Sequence, residues 1–206
     1  MINGLSGPQE ISHSGTRNLF RYWESIRGER SAPLRSQIAL QHIHQLLPWI
    51  FICEPTGESH SHRLRLAGTG ICQLWGENMT GKDLFASWKT FERETMNRLL
   101  NAAICDLQPF VMRCRARTET GFSTHLEIIG LPVEADDTHA NQVLGLVIPF
   151  HESNWLCTHH LVSFELVSVR IIWTEPVPAK DSVPMKPVSR GRKFRHLHVI
   201  PGGRLQ

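Results

Sequence analysis

Gly68-Thr69-Gly70 is the first place in this chain to look for chemistry. It follows an alternating run, Arg63-Leu64-Arg65-Leu66-Ala67, and leads into Ile71-Cys72-Gln73-Leu74-Trp75. A strand that feeds glycines into a helix N-terminus is how dinucleotide folds hold pyrophosphate. The spacing is wrong for that use. The fingerprint's third glycine would stand at position 73, which is Gln73, and no acid closing a second strand follows about 20 residues on. Gly81-Lys82 is followed by Asp83, where a P-loop needs Ser or Thr. Gly68 and Gly70 are therefore expected to serve chain reversal and close packing.

The other reactive residue types are equally scattered. The cysteines, at positions 53, 72, 105, 114 and 157, are odd in number and contain no Cys-x-x-Cys. They read as reduced core thiols, not as disulfides or a zinc site. Histidines fall in pairs at 42/44, 60/62, 159/160 and 196/198. A zinc site needs three or four converging ligands with supporting partners, whereas His60 and His62 fall in a Ser-rich turn and His159-His160 in another loop, so no metal ligand is assigned. There is no Gly-x-Ser-x-Gly elbow and no His-Glu-x-x-His, and Asp136-Asp137 falls in a polar loop. No catalytic residue is nominated. The chain is expected to act by binding and not as an enzyme.

Charge is unevenly spread. Of a net charge of +3, the stretch 176–206 carries +6, with seven Lys or Arg against Asp181, leaving the rest at −3. Arg190, Arg192, Lys193 and Arg195 form a candidate anion-binding tail, the basis of an alternative reading as a nucleic-acid or anionic-surface binder. Nucleic acid is disfavoured, because Phe194 is the tail's one aromatic and no helix-turn-helix pattern accompanies it. A second basic row, Arg113, Arg115 and Arg117, lies opposite His125 and Glu127 and reads as a solvated sheet face with cross-strand ion pairs.

These residues must be positioned by recognisable elements. Residues 1–15, rich in Gly, Ser and Pro, read as a disordered N-terminus. In 16–36 an N-terminal helix carries Leu19, Phe20, Trp23 and Ile26 and ends at Gly28, followed by an extended connector. Its apolar face needs a surface, either its own domain or a second copy. These four residues are thus the candidate dimer or partner interface. Residues 37–47 suggest a short helix stopped by Pro48. Strands are expected at 49–55 and 63–67, short helices at 69–76 and 82–86, and the longest helix at 88–107. An Arg-bearing strand at 109–119 turns at Gly121 into 122–133, and 143–150 is a buried strand. The type of 161–173 is not settled by period, and the proline-bearing tail after 176 is expected to be extended and flexible. This order implies an α+β fold, an antiparallel sheet with helices over one face. No apolar run approaches the ~18 residues of a membrane span, and no secretory h-region opens the chain, so a cytoplasmic location is expected.

The segments "LFRYWESIRGERSAP", "LLPWIFICE", "RLRLAGTGICQLWGENMTGKDL", "LEIIGLPV" and "RHLHVIPGGR" resemble a PAS domain, and in particular the stand-alone PAS family common in alphaproteobacteria. The resemblance covers 16–175 with an echo at 195–204. It implies a PAS domain over 37–175, with a five-stranded antiparallel sheet, short helices and one longer helix over one face. It also implies a sensory or regulatory role in bacterial signalling, through a small ligand, a signalling protein partner and a homodimer. Many PAS domains carry asparagine after the second strand, where this chain has Ala67-Gly68-Thr69-Gly70.

Such domains hold haem, flavin, small metabolites or nothing. Haem is disfavoured, since no histidine occurs between Glu77 and Thr124, and His125 or His42 would need unusual geometry. Flavin is disfavoured because the photoactive Asn-Cys-Arg-Phe-Leu-Gln motif is missing. The candidate pocket is lined by Ile71, Leu74, Trp75, Phe85, Trp88 and Leu99 over the helices, and by Met112, Leu126, Ile128, Leu146 and Ile148 on the sheet. The same residues equally suit a filled core, and the cofactor, if one is used, is unknown.

Overall fold

A computed structural model describes residues 10–57, 61–135, 141–151 and 154–174 of the chain. The 176–206 tail, with Arg190, Arg192, Lys193 and Arg195, lies outside the described residues, as do residues 1–9.

The N-terminal helix α1 runs Ser14–Arg27, beginning before the expected Thr16. His13 caps it, its Nδ1 accepting the Gly15 N–H at 3.0 Å. Residues 10–15, assigned from composition to a disordered segment, are built into the fold, with Ile11 and Gly15 buried. The expected helix at 37–47 is instead 3-10, over Arg35–Gln37 and Leu40–Trp49. Ile43 leaves helical geometry at φ −123°, and Pro48 lies inside the second stretch.

The sheet follows from two-residue apolar alternation. Its strands are β1 (Ile50–Pro55), β2 (His62–Ala67), β3 (Phe110–Thr118), β4 (Ser123–Val133), β5 (Gln142–Pro149) and β6 (Leu161–Ile171). Neighbours pair antiparallel in the order β2-β1-β5-β4-β3-β6. Among the described residues there are thus six strands, not five, and the unsettled segment 161–173 is the sixth. Its period was unreadable because the β3–β6 ladder slips twice. Arg117 pairs with Ser163 and Thr118 with Leu161, while Arg113 pairs with Ser168 and Cys114 with Leu166. Val162 and Val167 are the skipped residues, and both are exposed. Each bulge shifts the apolar pattern by one.

Two helices, α2 (Thr69–Trp75) and α3 (Thr90–Cys105), cover the front of the sheet with the chain between them. The back is covered as well. Leu19, Phe20 and Trp23 of α1 pack with Val111, Ile129, Leu131, Leu144 and Leu146. Covered on both sides, β5 is buried along its whole length. Trp23 is fully buried, and its Nε1–H donates to the Pro132 carbonyl at 2.7 Å.

Replacing Trp23 removes a large ring and leaves that carbonyl without its donor. Trp23→Ala is expected to lower unfolding free energy by about 3–5 kcal/mol, read from denaturant midpoints. A loss below about 1 kcal/mol would mean that α1 contributes little packing.

Candidate functional site

The glycine turn is closed by its own chain. A Cβ on Gly68 would lie 2.3 Å from the carbonyl oxygens of Leu47 and Pro48, and one on Gly70 would lie 2.8 Å from the Trp49 ring. Carbonyl oxygens, not free N–H groups, thus crowd the start of α2. That arrangement repels an anion, and the glycines are there for close approach, as their spacing suggests.

On the front face, Ile71, Leu74, Phe85, Trp88, Met112, Leu126 and Ile128 are buried in one cluster, with Trp75 and Leu99 half-buried against it. Leu146 and Ile148 are not part of it. On β5, Val143 and Val147 face the helices, whereas Leu146 and Ile148 pack beneath α1. Both parities of Val143–Ile148 are largely apolar, so the run carries no sign of which side faces front. Clefts of about 360, 210 and 490 Å³ open at the periphery, and Met112 is the one candidate pocket residue that lines any of the three.

Phe164 of β6 completes the front. Its ring stacks with Trp75, at 5.0 Å and 18°, and with Trp88, at 5.5 Å and 5°. Phe85 meets Trp88 edge-on at 5.4 Å. The Nε1 atoms of Trp75 and Trp88 are buried with no hydrogen-bond partner. Glu92 of α3 accepts the Leu166 N–H at 3.0 Å, tying β6 to the helix, while its second carboxylate oxygen is buried and unpartnered. Sequence reasoning passed over Phe164 because its strand was not recognised.

On the back face, Glu127 is a carboxylate with no solvent exposure. It accepts the Ser12 N–H at 3.0 Å and the His13 N–H at 2.8 Å, and Arg113 Nε donates to it at 3.2 Å. Arg113 also donates to the Glu10 carbonyl, at 3.0 Å, and to Ser12 Oγ. Glu127 thus pins the chain where it enters α1 and sits beside the positive end of the helix dipole. Leu19, Phe20 and Trp23, candidates for a dimer interface, are spent on this intramolecular packing, and Ile26 is half-buried. Here the chain's own sheet supplies the surface that the helix needs. In the rest of the arginine row Arg115 is half-buried and Arg117 exposed, each lying 3.8 Å from Glu165 of β6.

A family model described as PAS domain matches residues 11–148. The chain belongs to the PAS domain family. The matched span opens at Ile11, so it takes in the pinned segment and α1, and it closes at Ile148, before β6. PAS domains are sensory and regulatory modules, generally without catalysis of their own. A comparison with curated proteins finds no match.

Three of the paired histidines of this PAS domain have ordinary partners. His42 stacks on Tyr22, His62 bonds Asn101 at 3.1 Å, and His160 Nδ1 lies 3.3 Å from the Gln73 carbonyl. Among the described residues no group of three His, Cys, Asp or Glu could hold a metal, and no helix is long and apolar enough to cross a membrane. His60 and the 196/198 pair lie outside the described residues.

Cys53 and Cys114 are free thiols in the floor of the front cluster. Burial pushes both up from 9.0 to about 12, helped by the charges of Asp83 and Glu54 at Cys53 and of Glu92 at Cys114. Thiolate is the reactive form, so neither can act as a nucleophile near neutral pH. Iodoacetamide at pH 8 is expected to label the exposed Cys105 and to spare Cys53 and Cys114 until the protein unfolds, read by peptide mass. Because both thiols hold their protons more tightly when folded, their contribution to stability is complete below pH 9. It falls as pH rises from 9 towards 12. Labelling of either buried thiol in the native protein would overturn this account.

Proposed function

We propose that this PAS domain is a non-catalytic regulatory module of bacterial signalling whose output element is α1. The observation that carries the reading is Glu127, a fully buried carboxylate on β4 whose two oxygens accept from Ser12, His13 and Arg113. A small ligand or protein partner that prefers one packing of the sheet shifts the population with α1 docked. Undocking uncovers Ile129, Leu131, Leu144 and Leu146, an apolar strip suited to a signalling partner or a second copy of the chain. Homodimer formation in this reading follows release of α1 and does not use the outer surface of the docked helix.

Native-state hydrogen exchange tests it. The amides of Ser14–Arg27 are expected to open as a unit at lower free energy than those of β4 and β5. Glu127→Gln keeps the side chain's size but loses one acceptor charge, and is expected to lower the opening energy of α1 by about 1–3 kcal/mol. Exchange of α1 only together with β4 and β5, in both proteins, would sink the reading, since no separately releasable element would exist.

A further inference from the structure

We propose that the cleft at the C-terminal end of α1 binds a basic α-amino acid, its carboxylate on Arg27 and its ammonium groups on Glu29 and Asp106. This assignment rests on the regulatory reading above for its consequence, and on the cleft itself for its chemistry.

About 360 Å³ of space opens where the end of α1, the turn between α3 and β3 and the end of β6 converge. That is room for one small metabolite. Arg27, in the last turn of α1, lines it and is only 9% exposed. Its guanidinium lies over the Trp23 ring, 5.4 Å from the centroid. Nη1 donates to the Arg30 carbonyl at 2.9 Å, while Nε is buried with no partner. Its one ion-pair partner among the described residues, Glu24, stands at 3.6 Å, too far for a hydrogen bond. A group with five N–H donors is thus buried largely unanswered, and an entering carboxylate would complete it. Of the three clefts, this is the one lined by a buried charge.

The rest of the lining says what else the ligand must carry. Glu29 and Asp106 are exposed on the same cleft, and neither forms an ion pair among the described residues. Arg30 is already held by Glu134. A simple anion would meet Arg27 but also these two acids, and a simple cation would leave Arg27 unanswered. One carboxylate and two ammonium groups balance the set, which is the charge pattern of lysine or ornithine. Leu107 and Trp173, the latter 82% exposed, offer apolar wall to the methylene chain between those groups. Leu107 is also held at φ 54°, a left-handed conformation that costs a non-glycine residue energy and recurs at binding sites.

The site joins elements that the regulatory reading needs joined. Arg27 belongs to α1, Asp106 to the turn after α3 and Trp173 to the chain just past β6. A ligand bridging them favours the state with α1 docked. Ile172, Trp173 and Thr174 stand beyond the 11–148 span matched by the family, so the cleft is not complete within that span.

Calorimetric titration of the full chain with L-lysine is the test, and saturable binding is expected. L-norleucine lacks the side-chain ammonium and cadaverine lacks the carboxylate, so each is expected to bind about tenfold more weakly or worse. Arg27→Lys keeps the charge but loses the planar fork, and is expected to weaken L-lysine about tenfold. Should that buried variant fail to fold, the exposed Glu29→Gln and Asp106→Asn are each expected to weaken binding by about threefold or more. No saturable heat with millimolar L-lysine overturns the proposal. So does equal affinity for norleucine or cadaverine, or unchanged affinity in every folded variant. L-lysine is also expected to slow hydrogen exchange across Ser14–Arg27. An α1 that opens only with β4 and β5 would remove the regulatory reading and leave the calorimetric result intact.

Discussion

A buried carboxylate must be answered by the fold around it. Glu127 sits on β4 among apolar neighbours with no water to solvate it, and an unpaired charge there would be prohibitive. Ser12 N–H, His13 N–H and Arg113 answer it, and in doing so they set the point where the chain enters α1. A second polar pin, from Trp23 to the Pro132 carbonyl, fixes the helix further along the same strand. Tied to β4 at its entry and again at Trp23, α1 lies across the back of β4 and β5. The apolar back face then follows as a requirement. Leu144, Leu146 and Ile148 are buried because a helix is held over them.

The parts of this fold that were legible in the sequence are those whose pattern serves one purpose. β2, β3 and the start of β4 alternate cleanly, and the Arg113-Arg115-Arg117 row reads as a polar face with cross-strand partners. Glu127 looked like one more solvated member of that row, because pairing opposite Arg113 is visible in sequence whereas burial beneath Ser12 and His13 is not. β5 hid its facing because both sides are covered, which moved Leu146 and Ile148 from the candidate pocket to the back. β6 hid its type because two bulges broke its period. Leu19, Phe20 and Trp23 announced a helix in need of a surface, and only tertiary structure could say that the surface was its own sheet.

The front face shows the same economy. Trp75 and Trp88 suit either a closed core or a stacked ligand, and the chain stacks a ring of its own, Phe164, with each of them. Packing is satisfied there by Phe164, while hydrogen bonding at the two indole edges is not. Buried polar groups without partners are rare in folded proteins. On the front face Trp75 Nε1, Trp88 Nε1 and Glu92 Oε2 are such groups, beside the apolar core around Ile71, Leu126 and Ile128. Cys53 and Cys114, driven up by burial, belong with that core and not with any chemistry.

The two faces meet on β3. Cys114 faces the front cluster and pairs with Leu166, whose N–H Glu92 holds. Arg113, one residue away, points to the back and is one of the three donors to Glu127. The β6 register slips between these two residues. Phe164 is thus linked, through the β6–β3 ladder, to the strand that carries Arg113. Bonded continuity of this kind does not by itself amount to coupling, which also needs an element with two alternative states. In this chain α1 is the element placed to supply them, because the bonds that dock it converge on a single carboxylate.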